Sequence, residues 1–112
     1  GQNSTLEKIF EIIKTSEKEN IMCIPPNISF MASYFTKKKT LMALSPQAYE
    51  EAAVFMLGSP SKKNIGKLVN KYNINYIILD KTLYPKDTLD FNSIEYKKLV
   101  DENGYQLLEV TK

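Results

Sequence analysis

Apolar positions recur along this chain at two spacings, and the spacing changes from segment to segment. Between Ser4 and Lys18 they fall at Leu6, Ile9, Phe10 and Ile13, the i, i+3, i+4, i+7 signature of one buried helical stripe. Ser4 and Glu7 stand at capping-box spacing there, and the polar run from Ser16 to Asn20 ends the helix. Ile21 to Ile24 is apolar at every position, as in a central strand covered on both faces, and Pro25-Pro26 stops it. Asn27 is a good N-cap. Ile28, Met31, Ala32 and Phe35 then restore the helical stripe as far as Thr36 to Lys39, where cations suit the C-terminal dipole.

The second half repeats the alternation. Thr40 to Leu44 is a short apolar run that reads as a strand. Ser45-Pro46 opens a helix, a cap followed by proline at the first helical position, with Tyr49, Ala52, Ala53 and Met56 on its inner face and Gly58 just past its end. Ser59-Pro60-Ser61 is a turn into another helix, striped by Ile65, Leu68, Val69 and Tyr72. Tyr76 to Leu79 is the strongest strand signal, rich in β-formers, and Asp80 closes it. Lys81 to Asp90 is a polar loop. Asn92 and Glu95 have capping-box spacing before Ile94, Tyr96, Leu99 and Val100, which predicts a last helix ended by Asn103-Gly104. Tyr105 to Thr111 is a final strand with Leu108 and Val110 on one face and Leu107 on the other.

The resulting order, α-β-α-β-α-α-β-α-β, predicts a small three-layer α/β domain: a mostly parallel four-stranded sheet with helices on both faces. The expected strand order is 2-1-3, with the last strand at the edge beside the third. Residues 1–112 form a single domain, with no internal linker or repeat. Gly1 in place of Met reads as a tag remnant, which puts the native start upstream and makes the chain a fragment of a larger protein.

Composition narrows the function more than it defines it. Hydrophobic content is 43% and charged content 25%, ordinary for a globular domain. The net charge of +2 and the absence of Arg argue against nucleic acid as a partner, since Arg is the preferred reader of phosphates and bases. There is no His, which removes the usual general base and the usual metal ligand. Cys23 is the single cysteine; it has no disulfide partner and, inside an apolar strand, should be an inert buried thiol.

In open α/β sheets, ligands sit beyond the carboxyl ends of the strands. The polar residues expected there are Asn27 and Ser29 after the first strand, Ser45 and Gln47 after the second, and Asp80 and Lys81 after the third. The helix starts at Asn27 and Ser45 could offer N–H groups to an anion, although caps and turns explain the same residues. The turn after the first strand lacks glycine, so no nucleotide cradle is expected and no cofactor is implied. Asp80, Asp87 and Asp90 share a loop but match no cation-binding spacing. Ser45 lacks a His base, leaving only a Ser–Lys pair. Lys37-Lys38-Lys39 is the densest charge run and could meet anionic headgroups, though a solvated helix end accounts for it. Asn3-Ser4-Thr5 and Asn27-Ile28-Ser29 match the glycosylation pattern at positions that helix starts explain equally well.

Four segments carry a resemblance. A strand runs through a Pro-containing turn into a helix over Ile21 to Phe35. A basic segment leads into a strand over Thr36 to Leu44. A helix runs into Tyr-Ile-Ile-Leu-Asp over Lys67 to Asp80, and the chain ends as Gly-Tyr-x-Leu-Leu-x-Val over Gly104 to Val110. In this the chain resembles the soluble C-terminal extracytoplasmic domain of GT-C-type, polyprenyl-phosphate-sugar-dependent glycosyltransferase-like membrane proteins. The family often has Gly-Arg where this chain has Lys-Lys-Lys. The resemblance implies an accessory domain at the cell membrane, on its extracytoplasmic side. Its expected partners are the membrane-embedded remainder of the same chain and a glycan or lipid-linked sugar. The family's catalytic acids lie in loops between membrane helices, so no catalytic residue carries over.

Two other readings compete. One is a small-molecule binding or regulatory Rossmann-like domain of a cytoplasmic protein, with a polar pocket at the strand ends. The other is a stand-alone enzyme with a Ser–Lys or carboxylate mechanism, which requires a strongly perturbed Lys or Asp in that crevice.

Overall fold

A computed structural model describes residues 2–56, 63–84 and 89–111. Helix α1 spans Gln2–Lys14 and buries Leu6, Ile9, Phe10 and Ile13, the expected stripe. It begins two residues before Ser4, so Ser4 is not its cap. Strand β1, Asn20–Ile24, is buried from Ile21 to Ile24, as a run apolar on both faces requires. The Ile24–Pro25 peptide is cis. A 3-10 turn at Pro26–Ile28 leads into α2, Ser29–Thr36, which ends on Lys37 in the left-handed conformation. Strand β2 is only Lys39–Thr40. The rest of the expected second strand, Leu41–Ala43, is a 3-10 turn.

Helix α3, Pro46–Met56, starts where Ser45-Pro46 placed it: the Ser45 hydroxyl accepts the Ala48 N–H at 3.0 Å. Its inner face is Ala48 and Ala52, while Tyr49 is 51% exposed. Strand β3 is Lys63–Asn64 and α4 is Ile65–Tyr72, capped by Asn64, whose side-chain oxygen accepts the Lys67 N–H at 3.0 Å. The expected turn at Ser59-Pro60-Ser61 and the cap at Gly58 lie outside the described residues. Strands β4 (Tyr76–Asp80), β5 (Leu89–Asp90), β6 (Tyr96–Glu102) and β7 (Tyr105–Val110) complete the described chain.

The main sheet has five strands in the order β2-β1-β4-β7-β6. β1 runs parallel to β2 and β4, while β7 is antiparallel to both β4 and β6. The expected mostly parallel four-stranded sheet is therefore wrong: the sheet is mixed, and its antiparallel ladders are the longer ones. The error lies at one element. The expected helix over Asn92 to Val100 is instead the turn after β5 and strand β6. Asn103 and Gly104 do not end a helix; with φ of 53° and 84° they make the tight turn between β6 and β7, the geometry that an Asn-Gly hairpin favours. A register shift between Lys98 and Val100 disturbs the period of two along β6, so its apolar positions imitate a helical stripe. The expected order of the four predicted strands is found as β2-β1-β4-β7, but β7 is interior because β6 covers its outer side.

Two apolar clusters sit on opposite faces of the sheet. One packs Met22, Ile24, Ile77, Leu79 and Leu108 against residues of α3 and α4. The other packs Ile21, Cys23, Ile78 and Leu107 against α1 and Ala32 of α2. Alternate residues of β1, β4 and β7 thus serve opposite cores, which is why Ile21–Ile24, Tyr76–Leu79 and Leu107-Leu108 are unbroken apolar runs. The Asn103 side chain donates to Thr5 Oγ1 at 2.7 Å and ties the hairpin turn to α1.

Candidate functional site

The parallel strands β2, β1 and β4 bring their carboxyl ends to one edge of the sheet, so the six expected site residues follow adjacent strands. Most are committed to local structure. Ser29 is buried, and its hydroxyl hydrogen-bonds the Cys23 thiol. Ser45 caps α3. Asp80 accepts the Thr82 N–H at 2.9 Å and the Thr82 hydroxyl at 2.6 Å, a turn-closing pattern. Lys81 is ion-paired with Asp101 of β6. Asn27 and Gln47 are exposed, and Asn27 lies within the 3-10 turn and caps no helix. Among the described residues no hydrogen bond or ion pair links any two of the six. The edge therefore gathers these groups without converging them on a common point.

Ionisation follows from the same contacts. Burial pushes the Cys23 thiol up to about 12, against a smaller opposing influence of the Ser29 hydrogen bond. The thiol stays protonated and inert, as its strand position implied. Lys81, then Lys98 and Gln106, hold the Asp101 carboxyl down to about 2. Asp101 lies on β6 and participates in an exposed network. Asp90 accepts the Asn92 N–H at 2.8 Å, and Asp87 lies outside the described residues. Among the described residues, no three metal-ligating side chains of Cys, Asp or Glu converge. In the two glycosylation patterns, Thr5 and Ser29 are buried.

The surface that departs most from an ordinary domain lies elsewhere. The expected inner stripe of α2 was Ile28, Met31, Ala32 and Phe35. In the structure the buried face is Ser29, Ala32 and Thr36, and the large side chains point out: Phe30 is 86% exposed, Tyr34 67%, Phe35 53% and Met31 43%. Ala32 packs into the core beneath the sheet, and Thr36 returns its hydroxyl to the Ala32 carbonyl at 2.6 Å. Beside this ridge runs a groove of about 490 Å³ between α1 and α2, with Leu6, Phe10, Met31 and Phe35 as its apolar lining and Glu7, Glu11 and Lys14 along α1. Phe10 and Phe35 stack at 5.9 Å, and Phe35 meets Tyr34 edge-on at 5.0 Å.

No protein family, no curated protein and no solved structure matches this chain. A helical stripe drawn through every apolar residue does not identify the outward face of α2. The signal was present in the sequence: Phe30 and Tyr34 stand one turn apart, opposite the small residues Ser29, Ala32 and Thr36.

Proposed function

We propose that this chain is a non-catalytic accessory domain on the extracytoplasmic side of a multi-spanning, glycosyltransferase-like membrane protein. There it contributes to acceptor or partner contact. The observation that supports this reading is the exposed aromatic face of α2. A contiguous apolar surface on a small domain marks a place where another body sits. Chemistry would instead call for convergent, perturbed polar groups in a concavity, whereas the side chains of Ser45, Asp80 and Lys81 are spent on a cap, a turn and an ion pair, and Ser29 is buried against Cys23. The resemblance over Ile21 to Val110 supplies the membrane context. No helix among the described residues is long and apolar enough to cross a membrane, so on this reading the spans belong to the remainder of the protein.

The test is the sequence encoded upstream of Gln2. The proposal expects successive apolar spans of about 20 residues each. A soluble upstream region would overturn it and return attention to a ligand near Asn27, Gln47 and Asp80.

A further inference from the structure

We propose that the outward face of α2 docks on an anionic lipid bilayer, with the rings of Phe30, Tyr34 and Phe35 entering the headgroup layer and Lys37 and Lys39 on lipid phosphates. This deepens the accessory-domain reading and rests on it only in requiring a bilayer within reach.

The shape of the surface selects the occupant. The two most exposed rings, Phe30 and Tyr34, do not line the groove between α1 and α2 but stand outside it, and Phe35 at the groove's rim is itself half exposed. A partner helix would seek the concavity, whereas a protruding aromatic ridge suits an interface into which it can sink by about 5–10 Å. Charge points the same way. Lys38 turns inward, donating to the Ser16 carbonyl at 2.6 Å and approaching Glu19 at 3.7 Å. Its neighbours Lys37 and Lys39 are exposed, and among the described residues neither makes an ion pair. The Lys37 ammonium lies 4.8 Å from the centre of the Tyr34 ring, so cation and aromatic occupy one patch. The contact of Lys38 with Ser16 sets the ends of α1 and α2 side by side, which places Lys14 at this same end of the surface.

The opposing charges fix the tilt. Glu7 and Glu11 line the far wall of the groove on α1. They would be repelled by anionic lipid, so the domain leans on α2 with the α1 carboxylates held in water. Lys37 and Lys39, which in the sequence read only as part of a solvated helix end, thereby become the cationic flank of an aromatic surface.

The experiment is co-sedimentation of the 112-residue chain with vesicles of phosphatidylcholine, alone and with an equal share of phosphatidylglycerol. Binding is expected to the mixed vesicles and to weaken with added salt. Lys37→Gln and Lys39→Gln should each weaken it about fivefold. The triple variant Phe30→Ser, Tyr34→Ser, Phe35→Ser should lose it; Phe30 and Tyr34 lie outside the core, and an unchanged circular dichroism spectrum checks that removing Phe35 from its stack on Phe10 leaves the fold intact. Glu7→Gln with Glu11→Gln should bind at least as well as the parent. Failure of the parent chain to bind the mixed vesicles, or retention of binding by the triple variant, overturns the proposal. So does self-association through this face without vesicle binding. Upstream membrane spans together with no vesicle binding would defeat this inference and leave the accessory-domain reading intact. Vesicle binding with a soluble upstream region would do the reverse.

Discussion

Gly66 shows how far one position can depend on a distant segment. It lies in α4, where Ala would ordinarily be favoured by about 1 kcal/mol. A Cβ there would collide with the Asn92 carbonyl oxygen and the Ser93 hydroxyl, in the turn after β5. The carbonyl is backbone and cannot rotate away, so the overpacking cost of about 1–3 kcal/mol should exceed the helical gain. Gly66→Ala is expected to destabilise by about 1 kcal/mol, read as a lower urea midpoint; a gain in stability would show that the turn gives way. Nothing in the local sequence marks Gly66, because the collision is with a segment some 26 residues further on. Cys23 is the contrasting residue: four consecutive apolar positions already implied a buried, unreactive thiol.

At the scale of elements, the β6–β7 hairpin decides the fold and carries its main ionic tie. Lys81, following β4, and Lys98 both reach Asp101 on β6. The Asp101 carboxyl titrates at about 2 in the folded chain against 3.8 ordinarily. The folded state thus takes up the proton less readily than the unfolded state. The resulting stability is complete above about pH 4 and is lost as the pH falls to about 2. The pair is partly exposed, so the effect should stay under about 1 kcal/mol. Asp101→Asn should lose stability at pH 6 and match the parent near pH 2, in urea melts at the two values. An equal deficit at both would assign the loss to packing. The hairpin was also the least legible element. Ile94, Tyr96, Leu99 and Val100 fit a helical period because the register shift between Lys98 and Val100 breaks strict alternation. Asn-Gly ends helices and turns hairpins alike, and only the partner strand β7 separates the two.

Over the whole molecule, one sheet separates two cores, and β1 and β4 contribute to both. Cys23 sits at the middle of this arrangement on β1, paired in register with Ile78. Its modification by a thiol reagent should therefore require opening of the whole sheet. Labelling at pH 8 is expected to slow in proportion to the global unfolding equilibrium and to accelerate across the same urea transition as the circular dichroism. Labelling well below that transition would reveal local opening of β1. The same architecture explains why the strand-end edge is quiet and the α2 face is not. Parallel pairing aligns the ends of β2, β1 and β4, but the antiparallel hairpin beyond β4 sends Asp101 to Lys81 and ties up the charge nearest that edge.

Local pattern alone was enough for the stripe of α1, the start of α3 at Ser45-Pro46, the strands β1, β4 and β7, and the inertness of Cys23. Each depends on contacts within a few residues or on burial of an unbroken apolar run. The pairing direction of β7, the conversion of the expected last helix into β6, and the reversal of α2 depend on neighbours far away in the chain. For α2 the reason is physical: the side of the helix turned to the core holds Ser29, Ala32 and Thr36, so its aromatic residues face outward whatever their hydrophobicity.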